Sequence, residues 1–453
     1  METLTTKMKM QLAFVTNGLP RDLGDGLVLR TATPADTEPL AQFNARTLSS
    51  HESEQVAVTA WTRDFMSEAH PAVGSANVFL VEDTRAGKIV SSMCLIPQTW
   101  TYAGIPFSVG RTEAVSTDPD YRRRGLVREL FNTLHDKSAA MGHLVQGITG
   151  IQWFYRQFGY EYAIDLGGGR LTYFGNVPAL KENEAEPYRV RAMMLDDVPF
   201  VAPLYDRECA RSLIACPRPE WLWRHLLAGY SPESAERRPF QIIETGDGRA
   251  VGYVAPSREL WQDMYVITEL AVVEGKSLRA VMPSVLRALK RMGETEGAAQ
   301  KREMNSLFFA FGREHPVFNA TPDLLMKNRL PYGWYIRVPD VPGFLKHIAP
   351  ALEARLARSP LAGHTGELKI NEYRSGLRLV FENGRLATAE PWQPVQREAS
   401  AGLPPLVFLQ LLFGHRSIME LREFYADAWA KDDAHVLLDA LFPRAYSCVI
   451  PVG

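Results

Sequence analysis

The chain has 453 residues, a formal net charge of −2, 46% hydrophobic residues and 23% charged residues. These are ordinary globular proportions, and the length implies two to four domains, each able to bury a core. The balanced charge argues against a nucleic-acid binder working by bulk electrostatics, and four scattered cysteines without a CxxC pair argue for a reducing compartment and against a disulfide framework.

The opening "METLTTKMKMQLAFVTNGLP" has only a four-residue apolar run, too short for a signal peptide or anchor. No stretch approaches the ~20 apolar residues of a membrane span, so the expectation is a cytoplasmic protein without membrane contact. Residues 1–26 read as an N-terminal extension. Then "LVLRTATPADTEPLAQF" predicts a strand, a turn and a helix opening near Asp36, whose carboxylate suits an N-cap. "NVFLVEDTRAGKIVSSMCLIP" predicts two strands joined at Thr84 to Gly87, and "QTWTYAGIPFSVGRTEAVSTD" a further pair with its turn near Gly104.

Next comes "STDPDYRRRGLVREL". Leu126, Val127, Leu130, Phe131 and Leu134 form a helical stripe, and Gly142 is a plausible stop. Arg122, Arg123, Arg124 and Gly125 therefore lie at a helix start. That is where N–H groups are unpaired and the helix dipole is already positive. Cations there are unfavourable alone and favourable with a phosphate. "HLVQGITG" predicts a strand, and "IQWFYRQFGYEYAIDLGGG" a short helix ending at Gly159 and another strand.

After the charged, proline-bearing "GNVPALKENEAEP", the layout repeats. Arg191 precedes Asp197 by the interval that separates Arg30 from Asp36. "FQIIETGDGRAVGYV" repeats the first hairpin, and "MYVITELAVVEGKSLRAVMPSVLRALKRMG" repeats strand, loop and helix. The reading is an internal duplication of one α/β unit. A third region after "GWYIRVPDVP" predicts a helix, a hairpin turning at Glu382 to Gly384, and apolar helices in "LPPLVFLQLLFGHRS" and "DDAHVLLDALFP".

The order of strand, arginine–glycine loop, helix, strand and "FYRQFGY" resembles the GNAT acetyltransferases, whose pyrophosphate loop Arg/Gln-x-x-Gly-x-Gly/Ala corresponds to Arg122–Val127. With "LLFGHRS" in the tail, the chain resembles GNAT enzymes of the Eis ("enhanced intracellular survival") type. The resemblance implies tandem GNAT-like mixed-sheet domains followed by a sterol-carrier-protein-like α+β domain. The expected boundaries are 27–180 for the catalytic unit, 187–338 for a degenerate copy and 339–453 for the last domain. It implies acetyl-CoA as co-substrate, a small-molecule amine acceptor and a homohexamer, with no metal and no nucleic-acid partner.

It also implies site residues. Backbone groups of Val115, Ser116 and Thr117 would follow the cofactor's pantetheine arm. Arg123, Arg124, Gly125, Leu126, Val127 and Arg128 would cover its pyrophosphate, and Gly150 and Ile151 would lie near the acetyl end. Tyr155 matches the family's general acid; a phenol of pKa ~10 keeps its proton at neutral pH and can give it to a departing thiolate. An acceptor amine of pKa ~10.4 needs about 4.6 kcal/mol to lose its proton at pH 7, so a base is useful. The resemblance offers the terminal carboxylate of Gly453, with Glu113 as rival. Tyr160 reads as structural.

His51, Glu52, Glu54, Asp64 and Glu68 could attract a cationic amine at an expected acceptor cleft walled by Trp61 and Phe65; such charges are more often a solvated helix face, and none is assigned a role. "EGKS" at 274–277 lacks the leading glycine of a phosphate loop, since Leu270 stands there. The ten histidines show no HxxxH pairing, so no metal site is inferred. The competing reading is a non-catalytic acyl-CoA or lipid-binding assembly protein. The apolar face of the third region is expected to pack on the other units.

Overall fold

The computed structural model describes residues 18–451. The strands of the first unit are β1 (Arg21–Gly24), β2 (Leu27–Thr31), β3 (Val78–Asp83), β4 (Lys88–Tyr102), β5 (Ile105–Thr117), β6 (Val145–Ile148) and β7 (Glu161–Leu166). Its helices are α1 (Thr37–Leu48), α2 (Glu52–Met66) and α3 (Leu126–Ala140). The expected two strand pairs between 78 and 117 are three strands, because β4 runs unbroken through Pro97 and turns only at Ala103 and Gly104.

The second unit repeats the plan. After β8 (Gly169–Tyr173), the last strand of the first half, β9 (Tyr188–Ala192) leads into α4 (Val198–Cys209), the two-residue β10 (Ile214–Ala215) and α5 (Glu220–Arg224). β11 (Gln241–Thr245), β12 (Ala250–Trp261) and β13 (Met264–Val272) precede α6 (Leu278–Ala299). β14 (Ser306–Phe309), α7 (Pro316–Ala320), β15 (Lys327–Arg329) and β16 (Tyr332–Arg337) complete it. The equal spacing of Arg30–Asp36 and Arg191–Asp197 has the same outcome twice. Arg30 grips both oxygens of Asp36 (2.8 and 2.7 Å) and reaches Glu82 (2.9 Å); Arg191 grips Asp197 (2.7 and 2.8 Å) and reaches Glu244 (2.7 Å).

Among the described residues the strands form sheets of nine, seven and five. The first runs β1-β2-β3-β4-β5-β6-β16-β7, with β10 on β4; the second runs β15-β8-β14-β13-β12-β11-β9. Each sheet thus holds a strand from the other half of the duplication. β16 inserts between β6 and β7, antiparallel to both, and β8 lies between β14 and β15. The chain crosses between sheets at Gly167, Gly168 and Gly169, all at positive φ. A β-carbon on Gly168 would lie 2.5 Å from Pro331 Cα, and one on Gly169 2.1 Å from the Phe309 carbonyl, so only glycine fits the crossing.

The third region holds α8 (Val341–His347), α9 (Ala349–Ala357), β17 (Gly366–Asn371), β18 (Gly376–Glu382), β19 (Arg385–Pro391), β20 (Ala401–Gly402), α10 (Phe408–Leu412), α11 (Ile418–Phe424), β21 (Trp429–Ala430) and α12 (Asp432–Leu441). Its apolar side packs on the first unit. Tyr102 of β4 meets Phe344 and Phe413 edge-on, and its hydroxyl donates to the Leu412 carbonyl (2.8 Å). Leu130, Phe131 and Leu134 of α3 are fully buried against Val81, Val90 and Leu95, each contributing about 1.5–3 kcal/mol of burial that fixes the helix over the sheet.

Candidate active site

The site is built where β5 and β6 part. The two strands pair in parallel only through Val109, Gly110 and Arg111. β6 ends at Ile148, while β5 continues to Thr117. Beyond Arg111 the β6-facing edge of β5 has no strand beside it, so the peptide groups of Glu113 to Thr117 open into a wedge. A bulge sharpens it. Ser92 pairs with Ser116 and Cys94 with Glu113, which leaves one extra residue on β5, and Ala114 takes φ 53. Val115, Ser116 and Thr117 lie on this free edge. The Ser116 hydroxyl donates to Asn44 (3.3 Å), and its carbonyl accepts from Ser91 (2.8 Å).

At the wide end of the wedge sits the arginine loop. A 3-10 turn over Pro119–Tyr121, capped by Asp118, delivers the chain to Arg122, Arg123 (φ 65) and Arg124. Gly125 at φ 77 then starts α3, and no side chain caps that start. Arg122, Arg123, Arg124, Gly125 and Arg128 are exposed, while Leu126 is buried beneath them. Arg124 rests on the Tyr121 ring (4.7 Å), and Arg128 covers Phe158 (5.1 Å) and donates to Gln157 (2.9 Å). Val127 is half-buried. The corresponding start of α6 is closed: the Ser277 hydroxyl accepts from Ala280 N–H, and Arg279 is paired with Asp323. The uncapped helix start with exposed guanidiniums fits a pyrophosphate; the capped one does not.

At the narrow end stands Tyr155, in a 3-10 turn of Tyr155–Phe158 that Gly159 stops at φ 85. Tyr155 is 3% exposed and packs edge-on against Phe131, Phe154 and Tyr335. Its hydroxyl has no hydrogen-bond partner among the described residues. It faces Gly150, where an added β-carbon would lie 3.6 Å away. Burial raises its pKa, and the charge of Glu113 adds to that, so the phenol is firmly protonated at neutral pH. Gly150 (φ 120) and the exposed Ile151 follow β6. Tyr160 is fully buried, with its hydroxyl 2.9 Å from His135 Nε2.

Two tyrosines on this wall were not foreseen. Tyr332 and Tyr335 come from β16, and their hydroxyls donate to the Gly150 and Ile151 carbonyls, the latter at 3.2 Å. They reach the site only because β16 crosses between sheets. The alternating aromatics of "YGWYIR" mark a buried strand without saying beside which strand it lies.

Glu113, on the bulged stretch, is paired with Arg111 of its own strand. Arg111 is buried and lies against Trp334, whose indole N–H donates to the Val449 carbonyl (2.8 Å). Two residues on, the Pro451 carbonyl accepts from Arg238 (2.8 Å), itself paired with Glu236 (3.0 Å). The tail is thus tied down beside the Arg111–Glu113 pair; Gly453 lies outside the described residues. The charged stretch of α2 is mostly engaged elsewhere. Trp61 and Phe65 are buried against each other (5.2 Å), Asp64 accepts from Ser231 N–H and Oγ, and Glu68 accepts from Ser75. Among the described residues no group of three or more His, Cys, Asp or Glu could hold a metal ion, and no helix is long and apolar enough to cross a membrane.

Residues 28–163 match the family model of the acetyltransferase (GNAT) domain. No curated protein matches the sequence. Solved structures share the fold over nearly the whole chain. A probable N-acyltransferase from Enterococcus faecalis V583 is 13% identical, covers 94% of this chain and 100% of its own, and has a TM-score of 0.61. A GCN5-related N-acetyltransferase from Kribbella flavida is 18% identical, with 97% and 100% covered and a TM-score of 0.59. Eis1 from Mycobacterium abscessus is 14% identical, with 93% and 99% covered and a TM-score of 0.56. The wedge, the open helix start and the matching residues lie in one unit: residues 28–163 are a GNAT acetyltransferase domain, the acyltransferase unit of the chain.

Proposed function

We propose that the chain transfers an acetyl group directly from acetyl-CoA to a primary amine of a small molecule, of the polyamine, aminoglycoside or lysine kind. The observation that carries this reading is the wedge between β5 and β6, with the uncapped, arginine-bearing start of α3 at one end and the protonated Tyr155 at the other. Acetyl-CoA supplies an activated thioester there. The free edge of Val115–Thr117 binds its amide arm, Arg123–Arg128 neutralise its pyrophosphate, and Gly150 and Ile151 border the acetyl end. Tyr155 holds a proton on Oη and gives it to the sulfur that leaves as the amine nitrogen closes the amide bond.

The amine's proton goes to a carboxylate on the far side of the wedge. The Gly453 terminus is our first choice, because the tail is anchored at Val449 and Pro451 beside Arg111. Glu113 is the second choice, since Arg111 already neutralises it. The second unit, with its capped α6, acts as scaffold. A cytoplasmic hexamer with a sterol-carrier-like last domain is part of the same proposal and rests on resemblance; light scattering tests the assembly. The activity is tested by thiol release from acetyl-CoA with a panel of amines. Amine-dependent release supports the proposal. Acetyl-CoA binding without release leaves a non-catalytic acyl-CoA carrier.

A further inference from the structure

The second unit carries a groove that shares no residue with the wedge. It runs between α6 and strands β9, β11 and β12 and encloses about 560 Å³. Among the described residues five arginines line it, Arg191, Arg237, Arg238, Arg258 and Arg291, against one carboxylate, Glu296. Two of the five are paired, Arg191 with Asp197 and Glu244 and Arg238 with Glu236. Arg237 donates to the Tyr230 carbonyl (2.8 Å), which leaves its charge uncompensated. Arg237, Arg258 and Arg291 form no ion pair among the described residues. Three cations therefore face one anion in a concave site, within a chain whose net charge is −2.

Like charges gathered in a concavity repel one another, and the repulsion is relieved by a counter-anion. Guanidinium forks suit the planar, paired acceptors of phosphate oxygens. Beside the cations the wall is apolar, formed by Val190, Ala288 and Met292.

We propose that this groove binds a small organic diphosphate, its phosphate oxygens on Arg237, Arg258 and Arg291 and its organic part against Val190 and Met292. The negative charge of a diphosphate is complementary to the three guanidiniums, and the volume lies in the usual range of ~300–1,000 Å³ for ligand pockets. Arg238 also holds the Pro451 carbonyl, so the occupant lies one side chain from the tail.

The test is calorimetric titration of inorganic pyrophosphate and of adenosine diphosphate into the full chain at 150 mM salt. Arg122–Arg124 form a second anion site, so three proteins are compared: wild type, Arg123→Ala/Arg124→Ala and Arg258→Ala/Arg291→Ala. The loop variant is expected to keep one pyrophosphate site per chain, and the groove variant to lose at least tenfold in affinity for it. Adenosine diphosphate is expected to bind more tightly than pyrophosphate in the loop variant. Arg291→Glu, a change at an exposed position, serves if the double variant fails to fold. Pyrophosphate binding lost in the loop variant and intact in the groove variant overturns the proposal. So does no binding in either, or a groove variant that changes oligomeric mass and not affinity.

Discussion

Glu113 and Glu269 stand at the same place in two different sheets. Arg111 is the last residue of β5 to pair with β6, and Ile267 the last of β13 to pair with β14; each is followed by Thr-Glu. Their partners differ. Glu113 takes Arg111 from its own strand, whereas Glu269 is held at 2.9 and 2.5 Å by Arg218, a buried guanidinium stacked on Tyr205 (4.1 Å) and Trp223 (4.9 Å). In the second unit the cation beside the carboxylate comes from outside the strand and is boxed in by aromatic rings; in the first it comes from the strand itself. Arg218→Ala strands Glu269 in the core and is expected to cost about 3–5 kcal/mol. Glu113→Gln, at a half-buried site, is expected to shift the melting temperature far less. Denaturant melts of the two variants check the contrast.

Tyr155→Phe removes the hydroxyl and keeps the ring that packs on Phe131 and Tyr335. Turnover is expected to fall about 10²–10⁴-fold, the usual worth of a positioned acid, with cofactor affinity within about twofold of wild type. Because burial raises the phenol's pKa, wild-type turnover is expected to show no loss from deprotonation of this group up to pH 9. Steady-state kinetics against pH, with calorimetric acetyl-CoA binding, read both.

Arg123→Ala/Arg124→Ala is expected to raise KM for acetyl-CoA about tenfold or more and leave kcat nearly unchanged. On the proposed reading the loop holds the pyrophosphate, a part of the substrate that does not react. The loss is expected to shrink at high ionic strength, where exposed charges are screened in any case.

Deleting Val452 and Gly453 tests the base. Turnover at pH 7 is expected to drop at least tenfold, with the deficit narrowing toward pH 10 as the acceptor amine loses its proton unaided. Glu113→Gln giving the larger pH-dependent loss would falsify the assignment to the chain end.

Asp36 offers a pH test of the fold. The hydrogen bonds from Arg30 lower its pKa from 3.8 to about 2, against an opposing contribution from burial. A depressed pKa adds stability above the unfolded value near 3.9, and that stability is lost as pH falls from about 4 toward 2. Asp36→Asn is expected to cost about 1–3 kcal/mol at pH 7 and much less at pH 2.5. Thermal melts at the two pH values decide it.

The local architecture of the first unit was legible because its signals are local. The apolar stripe of α3, the arginines and Gly125 before it, and the stop at Gly159 lie within short windows, and the structure puts each where periodicity and turn chemistry predict. The Arg–Asp spacing that marked the duplication proved to be a matched pair of ion clusters. What was not legible depends on distant contacts. Nothing near Tyr332 or Tyr335 says that their strand leaves its own sheet. Trp61 and Phe65 read as candidate walls of an acceptor cleft in a segment that could equally be a solvated helix face, and only packing shows them buried against each other. The parting of β5 and β6 is likewise a property of two strands 28 residues apart, from Thr117 to Val145.

The exchange of β8 and β16 makes the halves of the duplication inseparable. Each half lacks an interior strand of its own sheet and lends one to the other. Proteolytic nicking of the exposed connection at Lys181–Ala185 would therefore yield two peptides that stay clasped through β8 and β16, and neither peptide alone could close its sheet. The copies behave as interlocked parts rather than beads on a string: the second cannot be pared away, because it supplies the strand carrying Tyr332 and Tyr335 that lines the wedge of the first.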